Sequence, residues 1–247
     1  MRCVSTDLCI DVNGERLVLD KSGALFWPRA RTLVFADLHF EKGSSFARGG
    51  QFLPPYDTRT TLLRMADPLA RHSPARVISL GDAFHDSLAP ERLGPDERAM
   101  LGRFCRTHAF VWIAGNHDPH RPSWLSGAGA TQWREGGLVF RHAPDPEAEP
   151  GEVAGHLHPS ARIAKYGRSV KRRCFAADAR RIILPAFGAY AGGLDVDDPA
   201  IASLFEAPFH AFMLGEERVY AIPRRNRTNA RGAFRRPGGT AGRRSSP

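Results

Sequence analysis

Residues 111–118 read Val-Trp-Ile-Ala-Gly-Asn-His-Asp, an apolar run that ends in a glycine and then presents Asn116, His117 and Asp118 in succession. These three side chains can ligate a metal ion or move a proton, and they stand where a buried strand would end. The arrangement recurs along the chain. The run 32–36 is followed by Asp37-Leu38-His39, the run 76–80 by Gly81-Asp82, the run 137–140 by Arg141-His142, and the run 152–154 by Gly155-His156-Leu157-His158. Ligand crevices of open α/β sheets lie beyond such strand ends. Asp-x-His and His-x-His put both side chains on one side of an extended chain, so each pair can converge on one pocket. Oxygen and imidazole donors together suit manganese, iron, zinc or cobalt, and the lack of cysteine among them argues against a structural zinc site. The glycines at 81, 115 and 155 allow sharp turns and a close approach of the backbone.

The elements that would position these residues follow from the apolar pattern. Short antiparallel strands are predicted for DLCIDV and RLVLD about an Asn13-Gly14 turn, then for ALFW and TLVFA. The spacing of Leu62, Leu63, Met65, Ala66, Leu69 and Ala70 predicts an amphipathic helix over 56–72, capped by Asp57 or Thr58 and kinked or shortened by Pro68. RVISL reads as a strand, 95–108 as a second helix, and AFVWIA, GLVFRH, EVAGH and RRIILP as further strands. The stretch 210–223 reads as a hairpin turning at Gly215-Glu216. Strands separated by helices, followed by a run of strands, predict an α/β domain with helices covering sheet faces.

With 247 residues the chain can form one large domain or two small ones, and no apolar run approaches the length of a bilayer span. The first twenty residues lack the apolar core of a signal peptide, which predicts a cytoplasmic protein away from membranes. Cys3, Cys9, Cys105 and Cys174 show no CxxC pairing and are expected to be reduced thiols. The net charge of +9 is concentrated at one end: Arg224, Arg225, Arg227, Arg231, Arg235, Arg236, Arg243 and Arg244 fall in a stretch with no acid and one large apolar residue, Phe234. The rest of the chain is close to neutral. The expected organisation is therefore a domain over 1–223 and a disordered tail over 224–247, too polar to offset its ordering entropy. The tail reads either as a nucleic-acid-binding arm held by phosphate contacts that salt weakens, or as a solubilising extension.

In order between residues 37 and 158, the blocks DLH, GD, GNHD, H and GHLH resemble the signature of the calcineurin-like metallophosphoesterase superfamily, D-x-H, G-D, G-N-H-D/E, H and G-H-x-H. The stretches ALFWPRARTLVFADLHFEKGSSF, VISLGDAFHD and ILPAFGAYAGGLDV further resemble its DNA-ligase-associated subgroup, over residues 10–222 and without the arginine tail. The resemblance implies an α/β fold of two packed mixed β-sheets flanked by helices, and two divalent metal ions, manganese first, with iron, zinc, cobalt or magnesium as alternatives. Carried onto this chain, Asp37, His39 and His158 would hold one ion, Asn116, His142 and His156 the other, and Asp82 would bridge them. Two dications about 3.5–4 Å apart repel, and a shared carboxylate and hydroxide offset that repulsion. A water shared by the ions would be deprotonated near neutral pH and attack phosphorus. His117 lies outside the ligand set and would protonate the leaving oxygen, with Asp118 orienting its imidazole. One departure, the late glycine of DLHFEKG, leaves the shape of the loop over 41–46 open.

Singly, Asp37 would cap a turn and His142 would be an ordinary histidine; the case lies in five such blocks in register. His72, His85, His108, His120 and His210 belong to no block, and neither His85 nor Asp86 is expected to be a ligand. Three classes of function remain. The subgroup resemblance implies a DNA phosphodiesterase or endonuclease in repair, alongside an ATP-dependent DNA ligase and a helicase. A small-molecule phosphoesterase acting on nucleotides, dinucleoside polyphosphates or phosphoproteins would share every metal residue. A non-catalytic scaffold would be expected to have lost ligands that this chain keeps.

Overall fold

Asn13 and Gly14 both adopt left-handed backbone, at φ +49° and +79°, which matches the twist of a two-residue hairpin. That turn joins β1 (Leu8–Val12) to β2 (Glu15–Leu19) in antiparallel register, with Val12 opposite Glu15. β3 (Leu25–Trp27) and β4 (Thr32–Phe35) continue the antiparallel meander. Beyond β4 the chain passes through helices α1 (Lys42–Arg48) and α2 (Asp57–His72) and returns as β5 (Arg76–Leu80), parallel to β4. α3 (Ala89–Arg92) and α4 (Pro95–Thr107) lead in the same way to β6 (Ala109–Ile113), and β7 (Ala128–Ala130) closes the edge. The structure is a computed structural model and describes residues 8–165, 167–206 and 208–224.

The second sheet is built from β8 (Gln132–Glu135), β9 (Leu138–Arg141), β10 (Glu152–Ala154), β11 (Pro159–Lys165), β12 (Arg168–Ala177), β13 (Arg181–Ile183) and β14 (Leu194–Asp195). β10 runs parallel to both β9 and β13. After the short α5 (Pro199–Ala202), β15 (Phe209–Leu214) pairs with β12, and β16 (Val219–Arg224) pairs with β15.

Alternate residues of the central strands face opposite layers, as a pleated strand requires. Val34, Ile78 and Val111 point into a core shared with Phe140, Val153, Phe175 and Ile182 of the second sheet. Their neighbours Leu33, Val77 and Phe110 point outward and pack under Leu62, Met65 and Leu69 of α2 and Leu101 of α4. The outer face of the second sheet is covered by Ile201 of α5 and by Phe205. Two mixed sheets thus lie face to face with helices outside, and β4, β5 and β6 carry continuous apolar runs because both their faces are covered.

Helix α2 corrects two expectations. Pro68 does not shorten it; the ring sits inside the helix on the buried face with Leu62, Met65 and Leu69, and this packing offsets the backbone hydrogen bond that proline removes. Asp57 and Thr58 do not cap it either. Asp57 Oδ2 accepts the Gly43 amide at 3.1 Å, and Thr58 Oγ1 accepts the Glu41 amide at 2.8 Å. Both side chains thereby hold the 41–46 segment, which forms the first turns of α1 rather than a loop. Cys105 and Cys174 are free thiols, as expected, and Cys3 lies outside the described residues. Among the described residues no helix is long and apolar enough to cross a membrane.

Asp20, at the end of β2, ties the first sheet to the last turn of α2. Its fully buried carboxylate accepts from Arg71 Nη1 and His72 Nε2, both at 2.7 Å. Burial alone would raise its pKa, but the hydrogen bonds from His72 and Ser22 and the charge of Arg71 outweigh it and hold the group below its usual value. A depressed carboxylate stabilises the fold above its unfolded pKa and loses that contribution as pH falls through the folded one. Asp20→Asn is expected to cost about 3–5 kcal/mol at neutral pH in urea unfolding. The variant should also lose less stability than the parent on acidification below pH 4; equal acid limbs would show that Asp20 contributes nothing there.

Candidate metal centre

Every predicted donor lies just past a strand end. Asp37 and His39 follow β4, Asp82 follows β5, residues 116–118 follow β6, His142 follows β9, and His156 and His158 bridge β10 to β11. They do not converge by strand alternation, as the spacing had suggested. Asp37, His39, Asp82, His156 and His158 all adopt left-handed backbone, with φ of +53°, +45°, +46°, +68° and +48°. Each such residue costs on the order of 1–3 kcal/mol and persists only where its surroundings hold it. Here the holding bonds are visible. The His39 amide donates to the Asp82 carbonyl at 2.9 Å, the Phe40 amide to the Ala83 carbonyl at 2.8 Å, and the Gly188 amide to the Asp37 carbonyl at 3.1 Å.

Two glycines make the close approach possible. A Cβ on Gly115 would lie 2.2 Å from the Asp82 amide nitrogen and its Oδ1, and one on Gly81 would lie 2.6 Å from His142 Nδ1. Backbone amides anchor both buried carboxylates: His156 N–H donates to Asp37 Oδ2 at 2.9 Å, and His117 N–H to Asp82 Oδ1 at 3.0 Å.

The donors form two trios, Asp37 with His39 and His158, and Asp82 with His142 and His156, each within 4.8 Å. His39 Nε2 and His158 Nε2 face each other at 3.3 Å, and His158 Nε2 lies 3.3 Å from Asp37 Oδ1. In the second trio His142 Nδ1 donates to the Leu80 carbonyl at 2.8 Å, which turns Nε2 toward the site. That nitrogen meets Asn116 Oδ1 at 2.8 Å, His156 Nδ1 at 3.0 Å and Asp82 Oδ2 at 3.5 Å. Asp82 Oδ2 also lies 4.0 Å from His39 Nε2, between the trios. Burial, with the neighbouring His158 imidazole, pushes His39 down to about 2, and burial with His142 lowers His156. Imidazole nitrogens crowded against buried carboxylates and an amide oxygen give a pocket lined by metal-donor atoms. The set fits two divalent cations, with Asp82 placed to serve both.

His117 stands beside these groups with its Nε2 3.9 Å from Asp82 Oδ2, and its side chain is 41% exposed. Asp118 does not orient it. The ring's Nδ1 donates instead to the His85 carbonyl at 2.8 Å, while Asp118 Oδ2 accepts the Phe84 amide at 3.1 Å. The GNHD turn carries Asp118 inward, under the GD loop, where burial pushes its carboxyl up to about 7. It ties the two loops together and cannot at the same time face the outward imidazole. The His85 carbonyl was illegible beforehand because any residue carries one. The His85 ring stacks on His117 with centroids 5.2 Å apart and lies outside both trios. Asp86 is taken by Arg92, at 2.7 and 2.9 Å. Arg224 ends β16 and lies 3.6 Å from Asp197, while Arg225, Arg227, Arg231, Arg235, Arg236, Arg243 and Arg244 lie outside the described residues.

Residues 30–174 match the family model described as calcineurin-like phosphoesterase, and the chain belongs to that family of metal-dependent phosphoesterases that work with two ions. No curated protein sequence matches it significantly. Among solved structures, it is similar to the crystal structure of Pseudomonas putida nuclease MPE, with 26% identity and a TM-score of 0.68, over 87% of this chain and all of the nuclease. It also aligns with Yfce, a phosphoesterase from E. coli, at 13% identity and a TM-score of 0.39, over 77% of this chain and 97% of that one.

Because His117 touches the centre without belonging to a trio, His117→Ala should keep the bound metal measured by plasma mass spectrometry. Turnover of esters with poor leaving groups should fall by about 10²–10⁴-fold. Loss of metal in step with activity would put His117 among the ligands.

Proposed function

We propose that this chain is a manganese-dependent DNA endonuclease of the DNA-ligase-associated subgroup, acting in cytoplasmic DNA repair alongside an ATP-dependent DNA ligase and a helicase. One observation carries the reading: both donor trios and an outward-facing His117 are complete, on a fold shared over its length with a nuclease. Asp37, His39 and His158 would hold one cation and Asn116, His142 and His156 the other, with Asp82 shared. When bound, the cations supply Lewis-acid polarisation of the phosphoryl group and ready deprotonation of a water.

The chain's own residues supply the rest. Because a carbonyl can only accept, the His85 oxygen keeps a proton on His117 Nδ1 and leaves Nε2 as the atom that faces the site. A second proton on Nε2 makes the ring cationic, and this is the proton handed to the leaving oxygen as the ester bond breaks. Asp82 Oδ2 lies 3.9 Å from that nitrogen, so His117 Nε2 borders the donor set without joining it. The amides on Asp37 and Asp82 and the Leu80 carbonyl on His142 keep the ligands aimed before substrate arrives. The mixed nitrogen and oxygen donors, free of thiolate, support manganese as the metal. The arginine tail supports a polyanionic substrate through its charge.

Manganese-loaded protein should linearise circular single-stranded DNA and hydrolyse bis-p-nitrophenyl phosphate faster than the monoester. Activity confined to nucleotides or to the monoester would overturn the endonuclease reading in favour of a small-molecule phosphoesterase.

A further inference from the structure

Beyond the metal trios, four basic side chains meet without an acid to pair them. Lys21 and Ser22 in the turn after β2, Arg64 of α2, Arg172 and Arg173 of β12 and Glu216 after β15 line a cavity of about 270 Å³. Among the described residues none of the four cations forms an ion pair, with Glu216 or any other carboxylate. Neutral partners hold the two inner arginines in place. The Arg64 guanidinium lies 4.7 Å over the Phe187 ring and reaches the Ser22 carbonyl at 3.4 Å. Arg173 Nη1 donates to the carbonyls of Ala186 at 2.8 Å and Phe187 at 3.2 Å. Such contacts position a guanidinium but leave its charge uncompensated. Burial and the nearby Arg64 hold Arg173 down at about 10, and burial lowers Arg64. Like charges kept together in a partly dry pocket are costly unless an anion joins them.

The pocket adjoins the segment that carries the metal centre. Arg173's carbonyl partners belong to residues 186–188, whose amides bond the carbonyls of Ala36 and Asp37. Two residues earlier on β12, Lys171 Nζ donates to the Gly193 carbonyl at 2.9 Å, next to the Leu194 amide that bonds the His158 carbonyl. Basic groups of β12 therefore run from the flank of His158 to the pocket. A cavity below about 300 Å³ is small for a drug-sized ligand. A guanidinium fork matches a pair of phosphate oxygens.

We propose that this pocket is a tetrahedral-oxyanion site, with Lys21, Arg64, Arg172 and Arg173 binding a phosphate group of the substrate strand away from the bond being cut. The oxyanion chemistry stands on the pocket itself; the strand as its source rests on the nuclease reading. Sulfate serves as the probe for the site, on metal-loaded full-length protein at constant ionic strength. Replacing chloride by sulfate should raise the parent's Tm by about 2–4 °C. The exposed-rim double variant Lys21→Ala/Arg172→Ala should lose most of that rise, and so should Arg64→Gln. An equal rise in parent and variants overturns the site. In a second arm, the rim variant should show KM for circular single-stranded DNA raised about tenfold, with bis-p-nitrophenyl phosphate hydrolysis unchanged. An unchanged KM for DNA, with the sulfate effect lost, would overturn the strand as the source and assign the site to free phosphate. A parent that shows the sulfate effect but cuts no DNA supports the oxyanion site and contradicts the nuclease reading alone.

Discussion

Two buried carboxylates, four histidine rings and an amide oxygen converge in one pocket, and the rest of this structure is arranged around the cations such a donor set calls for. Asp37 and Asp82 are buried, and burial with neighbouring imidazoles lowers the pKa of His39 and of His156 beside them. Holding such a set together demands backbone that most sequences avoid: five left-handed residues, and glycines at 81 and 115 where a single methyl group would collide with a ligand residue. The cost is local, and the two sheets beneath it provide the compensating burial.

The centre straddles the seam between those sheets. The first sheet delivers Asp37, His39, Asp82, Asn116 and His117 from the ends of β4, β5 and β6, while the second delivers His142, His156 and His158 from β9 and β10. Bonds cross the seam within the site: His142 to the Leu80 carbonyl, the His156 amide to Asp37, and the Phe187 amide to the Ala36 carbonyl. Packing between the layers and geometry among the ligands are therefore one problem. A change that lets the sheets slide separates the two halves of the metal set.

Much of this was legible in the sequence because it rests on short-range rules. Asn13-Gly14, the apolar runs of β4, β5 and β6, and the periodic faces of α2 and α4 are local signals, and the five polar blocks mark where the runs end. What was missed depends on partners distant in the chain. The β11–β12 hairpin carries six basic residues and little alternation, and only pairing with β13, β14 and β15 makes it part of a sheet. Asp57 and Thr58 looked like helix caps, yet their partners at Glu41 and Gly43 lie across the 41–46 bend. Asp118 looked like an orienting group for its neighbour His117, but consecutive residues leaving a turn point apart, and a backbone carbonyl at position 85 took that role. Six of the expected donors do gather into two trios, but left-handed backbone rather than strand alternation brings them together.

The most direct measurement is anomalous diffraction at the manganese edge from crystals of this chain equilibrated with Mn²⁺. Two separate peaks should emerge, one among Asp37, His39 and His158 and one among Asn116, His142 and His156, with Asp82 in contact with both. A single peak, or none among these side chains, would contradict the account at its root.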